Sequence, residues 1–118
     1  MDIESLQRKL REFAAARDWE QYHNPKNLAM ALAVEAGELQ EIFQWLTPEE
    51  SVAVTNIPNV KHDVEEEIAD VINYVLRIAD VLNIDVERAV LNKINKNAEK
   101  YPPAGSNTPR SKKDIQND

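Results

Sequence analysis

The chain has 118 residues, 42% of them hydrophobic, a length and composition that fit one small domain with a packed core. It contains no cysteine, which excludes disulfides, thiolate metal sites and a cysteine nucleophile. Its formal net charge of -7 argues against a nucleic-acid-binding protein, because an acidic surface repels the phosphate backbone.

The N-terminal region has the periodicity of an amphipathic helix. Its apolar side chains recur at steps of three and four residues, which predicts a first helix over residues 3–17. Residues 18–24 break this pattern and carry an aromatic cluster of Trp19, Tyr22 and His23. The Asn-Pro pair at 24–25 then suits the N-cap and first turn of a second helix.

The second helix is predicted over residues 25–46, and its apolar stripe contains a carboxylate. The stripe advances in alternating steps of four and three: Leu28, Leu32, Glu35, Leu39, Ile42 and Leu46. Because an acid among leucines is not explained by ordinary packing, Glu35 is the first candidate for a functional side chain. Thr47 and Glu50 then form a capping box, which predicts a short helix or turn, and residues 55–61 are predicted to be a loop.

The third helix, predicted over residues 62–82, is acidic in its first half and apolar on nearly every face in its second half. A helix that is apolar all round must be covered on all sides, and one chain of this length cannot do that. This pattern predicts a second subunit. A fourth helix is predicted over residues 86–100, with Asp85 as its N-cap.

These elements predict an all-α protein, a helical bundle of about four main helices that is completed by homo-oligomerisation. The predicted domain covers residues 1–103, and the polar residues 104–118, which have no periodicity, are predicted to be a disordered tail. Residues 1–11 are charged and amphipathic, unlike a signal peptide, and no apolar run approaches the ~20 residues that span a bilayer. We therefore expect a cytoplasmic protein that does not bind membranes.

Two predicted helices each carry a pair of acids three residues apart: Glu35 with Glu38, and Glu67 with Asp70. Positions i and i+3 share one face of a helix, so antiparallel packing of these helices brings four carboxylates together. Oxygen ligands without histidine or cysteine suit Mg²⁺, or Mn²⁺, rather than zinc. The alternative is a solvated acidic face, as most Glu-rich helices have.

The fourth predicted helix carries a polar strip of the opposite charge. Lys93, Asn97 and Lys100 follow in steps of four and three, and Tyr101 comes next. Such a strip suits a phosphate chain, with lysine as a point charge and the amide and hydroxyl as donors. A solvated basic face is the alternative interpretation.

Two segments also carry a family resemblance. Residues 17–28 read RDWEQYHNPKNL, and residues 35–45 read EAGELQEIFQW. They resemble the MazG-like nucleotide pyrophosphohydrolases, and the dCTP pyrophosphatase branch in particular. Residues 66–71 and 100–102 also fit, so the resemblance covers about residues 4–103 and is specific because the paired acids occur together with both aromatic segments.

The resemblance implies an all-α fold in which Glu35, Glu38, Glu67 and Asp70 bind Mg²⁺. Its members cleave nucleoside triphosphates between the α- and β-phosphates and release pyrophosphate. We expect Glu38 to orient or deprotonate the attacking water. The family also implies a homodimer or homotetramer, in agreement with the apolar third helix.

For the substrate, the resemblance implies dCTP or a modified dCTP. It implies base contacts from Trp19, His23, Trp45 and Tyr74, and phosphate contacts from Lys93, Asn97 and Tyr101. We expect the two tryptophans to form an apolar slot for a pyrimidine; otherwise they are core or interface residues. One departure concerns Leu10, where vertebrate members have a histidine.

Two other functions are possible from the residues alone. A di-iron bundle requires Glu-x-x-His on two helices, and this chain has that spacing only between Glu20 and His23, in a predicted loop. A non-catalytic helical oligomeric interaction module explains the apolar third helix, but it does not explain Glu35 within an apolar stripe. The family resemblance implies a different function, that of a Mg²⁺-dependent hydrolase that removes surplus or modified nucleotides, and this is the predicted function.

Overall fold

The computed structural model describes residues 1–105, and every regular element in that range is helical. This confirms the all-α prediction. Five α-helices occur there: α1 (Ile3–Ala16), α2 (Pro25–Phe43), α3 (Pro48–Ala53), α4 (Pro58–Val81) and α5 (Val86–Lys100). Two single turns of 3-10 helix, Glu20–Tyr22 and Val54–Asn56, lie between them. From residue 106 onward, the predicted tail lies outside the described residues.

Side-chain caps set the beginnings of α2, α3 and α5, as the sequence predicts. The Asn24 side chain accepts a hydrogen bond from the backbone N–H of Asn27, the third residue of α2, and Asp85 accepts one from Arg88 in α5. At α3 the capping box is complete: the Glu50 N–H donates to Thr47 Oγ1 at 3.1 Å, and the Thr47 N–H donates to Glu50 Oε1 at 2.9 Å. These bonds satisfy N–H groups that have no partner within the helix.

The predicted loop over residues 55–61 is wrong in its second half, because α4 begins at Pro58. Proline is well suited to the first turn of a helix. An N–H at that position has no partner within the helix, so its absence costs no hydrogen bond, and the fixed φ of proline is already helical. The Lys61 N–H donates to the Ile57 carbonyl at 2.9 Å and closes this first turn. The prediction treated the proline as a helix breaker when it marks a helix start.

The second helix also ends earlier than predicted, at Phe43 rather than Leu46. The Leu46 N–H bonds to the Phe43 carbonyl at 3.0 Å, so the chain tightens into a turn. Trp45 lies in this turn with 88% of its surface exposed. Leu46, the last residue of the predicted apolar stripe, therefore lies outside the helix.

The chain divides into two units, the first over Met1–Ile84 and the second beginning at Asp85. In the first unit α2 packs chiefly on α4, and α1 also packs on α4. Its buried apolar side chains are Ala14, Leu28, Val54, Leu76 and Ala79. The regular structure of the second unit within the described residues is α5.

Helices α2 and α4 run antiparallel. His23, just before α2, bonds to Arg77 near the end of α4, whereas Glu41 near the end of α2 and Asp63 near the start of α4 line one recess. The start of α2 thus lies beside the end of α4, and the end of α2 lies beside the start of α4, which requires the two helices to point in opposite directions. Among the helices of residues 1–105, none has the length and apolar character of a membrane span.

Candidate metal centre and adjoining cavity

Three of the four predicted metal ligands converge between α2 and α4. Glu35 and Glu38 come from one turn of α2 and Glu67 from α4, and one carboxylate oxygen of each lies within 4.8 Å of the others. The i, i+3 spacing places the first two on one face, and antiparallel packing brings the third opposite them. The group contains oxygen donors alone, which is the donor set that Mg²⁺ and Mn²⁺ prefer.

Two oxygens in this cluster are buried without any hydrogen-bond partner: Oε2 of Glu35 and Oε2 of Glu67. A buried carboxylate without a partner is unfavourable, so a proton or a cation must compensate it. Burial, together with the neighbouring Glu67 and Glu38, raises the pKa of Glu35 to about 7. Burial also raises the pKa of Glu67. The cluster therefore fits a divalent cation on its chemistry as well as on its geometry.

Asp70 lies one helical turn beyond Glu67 and does not belong to the group of three oxygens within 4.8 Å. Its negative charge nevertheless raises the pKa of both Glu35 and Glu67. The same residue lines a cavity of about 400 Å³ between α1 and α4. Asp70 therefore joins the carboxylate cluster to the cavity.

The histidines of the chain are not part of the cluster. His62 pairs with Glu66 on the exposed first half of α4, at 3.0 Å. His23 accepts a hydrogen bond from Arg77. Within residues 1–105, the group placed to hold a metal contains carboxylates only, so the Glu-x-x-His ligands that a di-iron bundle needs are not brought together.

The cavity contains three of the residues expected to contact a base. Trp19, His23 and Tyr74 line it, and so does Leu10, the position that departs from the vertebrate pattern. Phe13 contacts Trp19 edge to face, with ring centroids 5.6 Å apart, and Trp19 lies 6.1 Å from the His23 ring. The full lining is Lys9, Leu10, Phe13, Trp19, His23, Asp70, Asn73, Tyr74 and Arg77.

The turn after α1 positions Trp19. Asp18 adopts a left-handed conformation with φ of 56°, which aspartate tolerates better than most residues. The Trp19 N–H then donates back to the Ala14 carbonyl at 2.9 Å, as in a Schellman C-cap. This cap turns the chain and directs residues 19–23 toward the start of α2.

Trp45 does not line the cavity. It follows the C-terminus of α2, whereas Trp19 precedes the N-terminus, and a helix of 19 residues is about 28 Å long. The two indoles therefore do not form one slot within a single chain.

The three residues expected to contact phosphates belong to the second unit. Lys93 is exposed and Asn97 is half-buried, both on α5. Tyr101 follows the helix, and its N–H donates to the Asn97 carbonyl at 2.8 Å.

The sequence analysis missed Arg77 and Asp80. Arg77 is only 8% exposed and lines the cavity, and it pairs with Asp80 at 3.1 Å. Both charges interrupt the apolar second half of α4. The anomaly that identified Glu35, a charge within an apolar run, could have identified them as well.

Comparison with known proteins places these features in a family. The MazG-like family matches residues 30–113, which include all four acids. The chain belongs to this family. The matched range begins after Trp19 and His23, so it does not include these two residues of the cavity lining.

Individual relatives agree with the family assignment. The chain is 41% identical to a dCTP pyrophosphatase 1 from Rattus norvegicus over 100 residues, and 42% identical to the one from Homo sapiens. Each alignment covers 85% of this chain and 59% of the relative, so the chain spans about three fifths of the length of these relatives. Among solved structures, a pyrophosphatase from Archaeoglobus fulgidus is 45% identical, with a TM-score of 0.80 over 87% of this chain and 94% of that one.

Proposed function

We propose that this MazG-like chain is a Mg²⁺-dependent nucleoside triphosphate pyrophosphohydrolase, which converts a (d)NTP and water into a (d)NMP and pyrophosphate. One observation carries the proposal: Glu35 and Glu67 have unpartnered buried oxygens, and Asp70, one helical turn from Glu67, lines a cavity that contains aromatic rings. The similarity to dCTP pyrophosphatases and to an archaeal pyrophosphatase supports the same reaction class. dCTP or a modified dCTP is the proposed substrate, and removal of such nucleotides in the cytoplasm is the proposed role.

Glu35, Glu38, Glu67 and Asp70 hold the metal in this proposal. When bound, Mg²⁺ offsets the negative charge of the triphosphate and lowers the pKa of a coordinated water. Glu38 is the exposed member of the cluster, so its carboxylate can accept a hydrogen bond from the attacking water and take its proton. Asp70 lies at the boundary between the carboxylate cluster and the cavity. A nucleotide bound there would place its phosphates at the acids and its base in the cavity.

The cavity suits one aromatic ring better than two. The indole of Trp19 offers a stacking surface, Leu10 and Phe13 provide apolar walls, and His23 and Tyr74 provide polar groups. A pyrimidine therefore fits this lining. Lys93, Asn97 and Tyr101 are the proposed phosphate contacts.

The proposal includes a homodimer or homotetramer. Ile68, Ile72 and Val75 follow one another at helical spacing on α4, and each is more than a third exposed. On α2, Met30 and Val34 are about 60% exposed, one turn apart. Contiguous apolar stripes of this kind are typical of obligate interfaces. A second copy is also the means by which Trp45 can reach a cavity, since within one chain it lies at the far end of α2.

We expect the protein to be a stable dimer or tetramer at micromolar concentration, with interfaces that bury more than ~2,000 Å². Light scattering coupled to gel filtration measures the mass. Ile72→Glu should produce a smaller species, because it places a charge within the apolar stripe of α4. Glu65→Lys, on the exposed acidic half of the same helix, is the matched control and should leave the mass unchanged. A wild-type monomer would rule out the assembly.

Trp45→Ala should raise KM for the preferred nucleotide roughly ten-fold, since stacking on an aromatic ring is worth about 1–3 kcal/mol per base. It should leave the affinity for Mg²⁺ unchanged, because Trp45 is not one of the acids that would hold the metal. Steady-state kinetics with wild type, Trp45→Ala and Val52→Ala measures the effect; Val52 is another exposed apolar residue, at 74%, and serves as the control. If KM is the same in all three, Trp45 has no role in reading the base.

The experiment that tests the function is release of pyrophosphate from each of the four dNTPs in Mg²⁺ and in EDTA. We expect release that requires the metal and is fastest with dCTP. An interaction module without catalytic activity releases none under either condition. Faster hydrolysis of purine nucleotides would preserve the reaction class and reject the single-ring cavity.

A further inference from the structure

His23 is bound to a charged network through its Nδ1 atom. Arg77 Nε donates a hydrogen bond to His23 Nδ1 at 3.1 Å, across 54 residues of sequence. Arg77 lies near the end of α4 and is 8% exposed, so this bond is largely protected from water. The two residues come from different elements, and the contact therefore depends on the tertiary structure.

The chemistry of arginine fixes the protonation of this imidazole. A guanidinium has donors and no acceptor, and it stays charged in proteins. Because Arg77 donates to it, Nδ1 must be the unprotonated nitrogen, and the proton of the neutral ring is then on Nε2. Burial and the positive charge of Arg77 also lower the pKa of His23. His23 is thus held neutral, in one tautomer.

Further contacts hold Arg77 in the orientation that makes this bond. Its Nη1 donates to Asp80 Oδ2 at 3.1 Å. Asp80 in turn accepts two hydrogen bonds from Arg11 on α1: from Nη2 to Oδ1 at 2.7 Å and from Nε to Oδ2 at 3.0 Å. Paired bonds between a guanidinium and a carboxylate are geometrically strict. The network runs from α1 through α4 to the segment before α2.

The net contribution of such a network to stability is small, because the desolvation of buried charges offsets much of their attraction. It does hold side chains in one geometry. Its end is a ring that lines the cavity together with Trp19 and Tyr74. With Nδ1 occupied by Arg77, Nε2–H is the polar group that His23 can offer to a ligand there.

We propose that Arg77, oriented by Asp80 and Arg11, is a positioning residue that fixes His23 as a permanent Nε2–H donor, so that the cavity selects a base presenting a hydrogen-bond acceptor. Both pyrimidines carry carbonyl acceptors, but N3 is an acceptor in cytosine and is protonated in thymine, so an Nε2–H donor distinguishes the two bases at N3. A histidine free to change tautomer accepts as readily as it donates and discriminates less. The inference about the choice of base rests on the proposed nucleotide-binding function. The inference about the tautomer of His23 is independent of that function.

The tautomer can be measured on the protein without any ligand. Long-range proton–nitrogen NMR correlations of histidine-labelled protein distinguish a protonated from an unprotonated ring nitrogen. The chain has two histidines, and His62→Asn assigns the signals. We expect His23 to show Nε2 protonated and Nδ1 unprotonated, in one form, at pH 8. A proton on Nδ1, or a mixture of tautomers in the wild type, overturns the proposal.

Arg77→Met removes the donor while keeping an unbranched side chain. It should give a mixture of His23 tautomers and weaken binding of the α,β-imido analogue of dCTP about three- to ten-fold, as loss of one oriented hydrogen bond does. Lys9→Met, which removes another cation from the cavity lining, is the control and should leave the tautomer of His23 unchanged.

Asp80→Asn tests the same network if Arg77→Met does not fold, and it should shift the tautomer in the same direction. Unchanged His23 signals in a folded Arg77→Met protein contradict the positioning role. Altered signals with undiminished affinity for the analogue contradict the role in selection. If the wild type binds no nucleotide analogue, the proposed function fails, and the signals of the unliganded protein still decide whether Arg77 fixes the tautomer.

Discussion

Glu38→Gln is expected to lower kcat for pyrophosphate release by roughly 10²–10⁴-fold, the usual contribution of a general base, and to raise the melting temperature of the metal-free protein. The substitution keeps the shape of the side chain and removes one negative charge from the cluster with Glu35 and Glu67. Mutual repulsion among these carboxylates decreases, so the apo protein should melt higher by roughly 4 °C or more. Activity and stability thus change in opposite directions.

Glu65→Gln is the matched control for this experiment. Glu65 lies on the exposed face of α4 and does not belong to the converging carboxylates. The change in net charge is the same, so a general charge effect would appear in both variants. Initial rates and thermal denaturation in EDTA measure the two quantities. Equal effects in Glu38→Gln and Glu65→Gln would show that Glu38 has no special position.

Mg²⁺ is expected to stabilise the protein strongly at pH 8 and only weakly at pH 6. In the folded, metal-free protein the pKa of Glu35 is about 7, raised from the ordinary value of 4.5. A raised carboxylate pKa means that the folded state binds a proton which the unfolded state has released. This group therefore stabilises the folded state at low pH, and its contribution is lost as the pH rises from about 4.5 through 7.

Stabilisation by Mg²⁺ is expected to increase with pH, because the metal binds the ionised carboxylate of Glu35. At pH 6 it must displace the proton on Glu35, whereas at pH 8 it relieves a repulsion already present. Melting temperatures at both pH values, with EDTA and with millimolar Mg²⁺, measure the effect, and Glu35→Gln should abolish most of the difference. A shift with Mg²⁺ that is equal at the two pH values, or absent, would contradict a cation site at Glu35.

The parts of the site that the sequence predicts are those encoded within one helix. Glu35 is conspicuous because its neighbours at steps of three and four are leucines, and its partner Glu38 follows from the i, i+3 rule. Glu67 required one more assumption, that the two helices pack antiparallel. Hydrophobic stripes favour packing of the two helices without fixing their direction, and in the structure they are antiparallel.

The parts that could not be predicted depend on where elements end and meet. The slot between Trp19 and Trp45 stays a prediction, because α2 separates them by about 28 Å within one chain and only a second copy can bring them together. The contact from Arg77 to His23 joins residues 54 apart in sequence and has no local pattern. The start of α4 at Pro58 was missed for a different reason, since proline both breaks and begins helices and the surrounding residues do not decide between the two.

The measurement that tests the central claim most directly is a ³¹P NMR time course of dCTP incubated with the protein and Mg²⁺. If the acid cluster holds a cation that assists cleavage between the α- and β-phosphates, the triphosphate signals must be replaced by those of dCMP and pyrophosphate in equal amounts. EDTA must stop the conversion, and Glu38→Gln must slow it by at least a hundred-fold. Unchanged dCTP, or the appearance of dCDP with inorganic phosphate, would contradict the account.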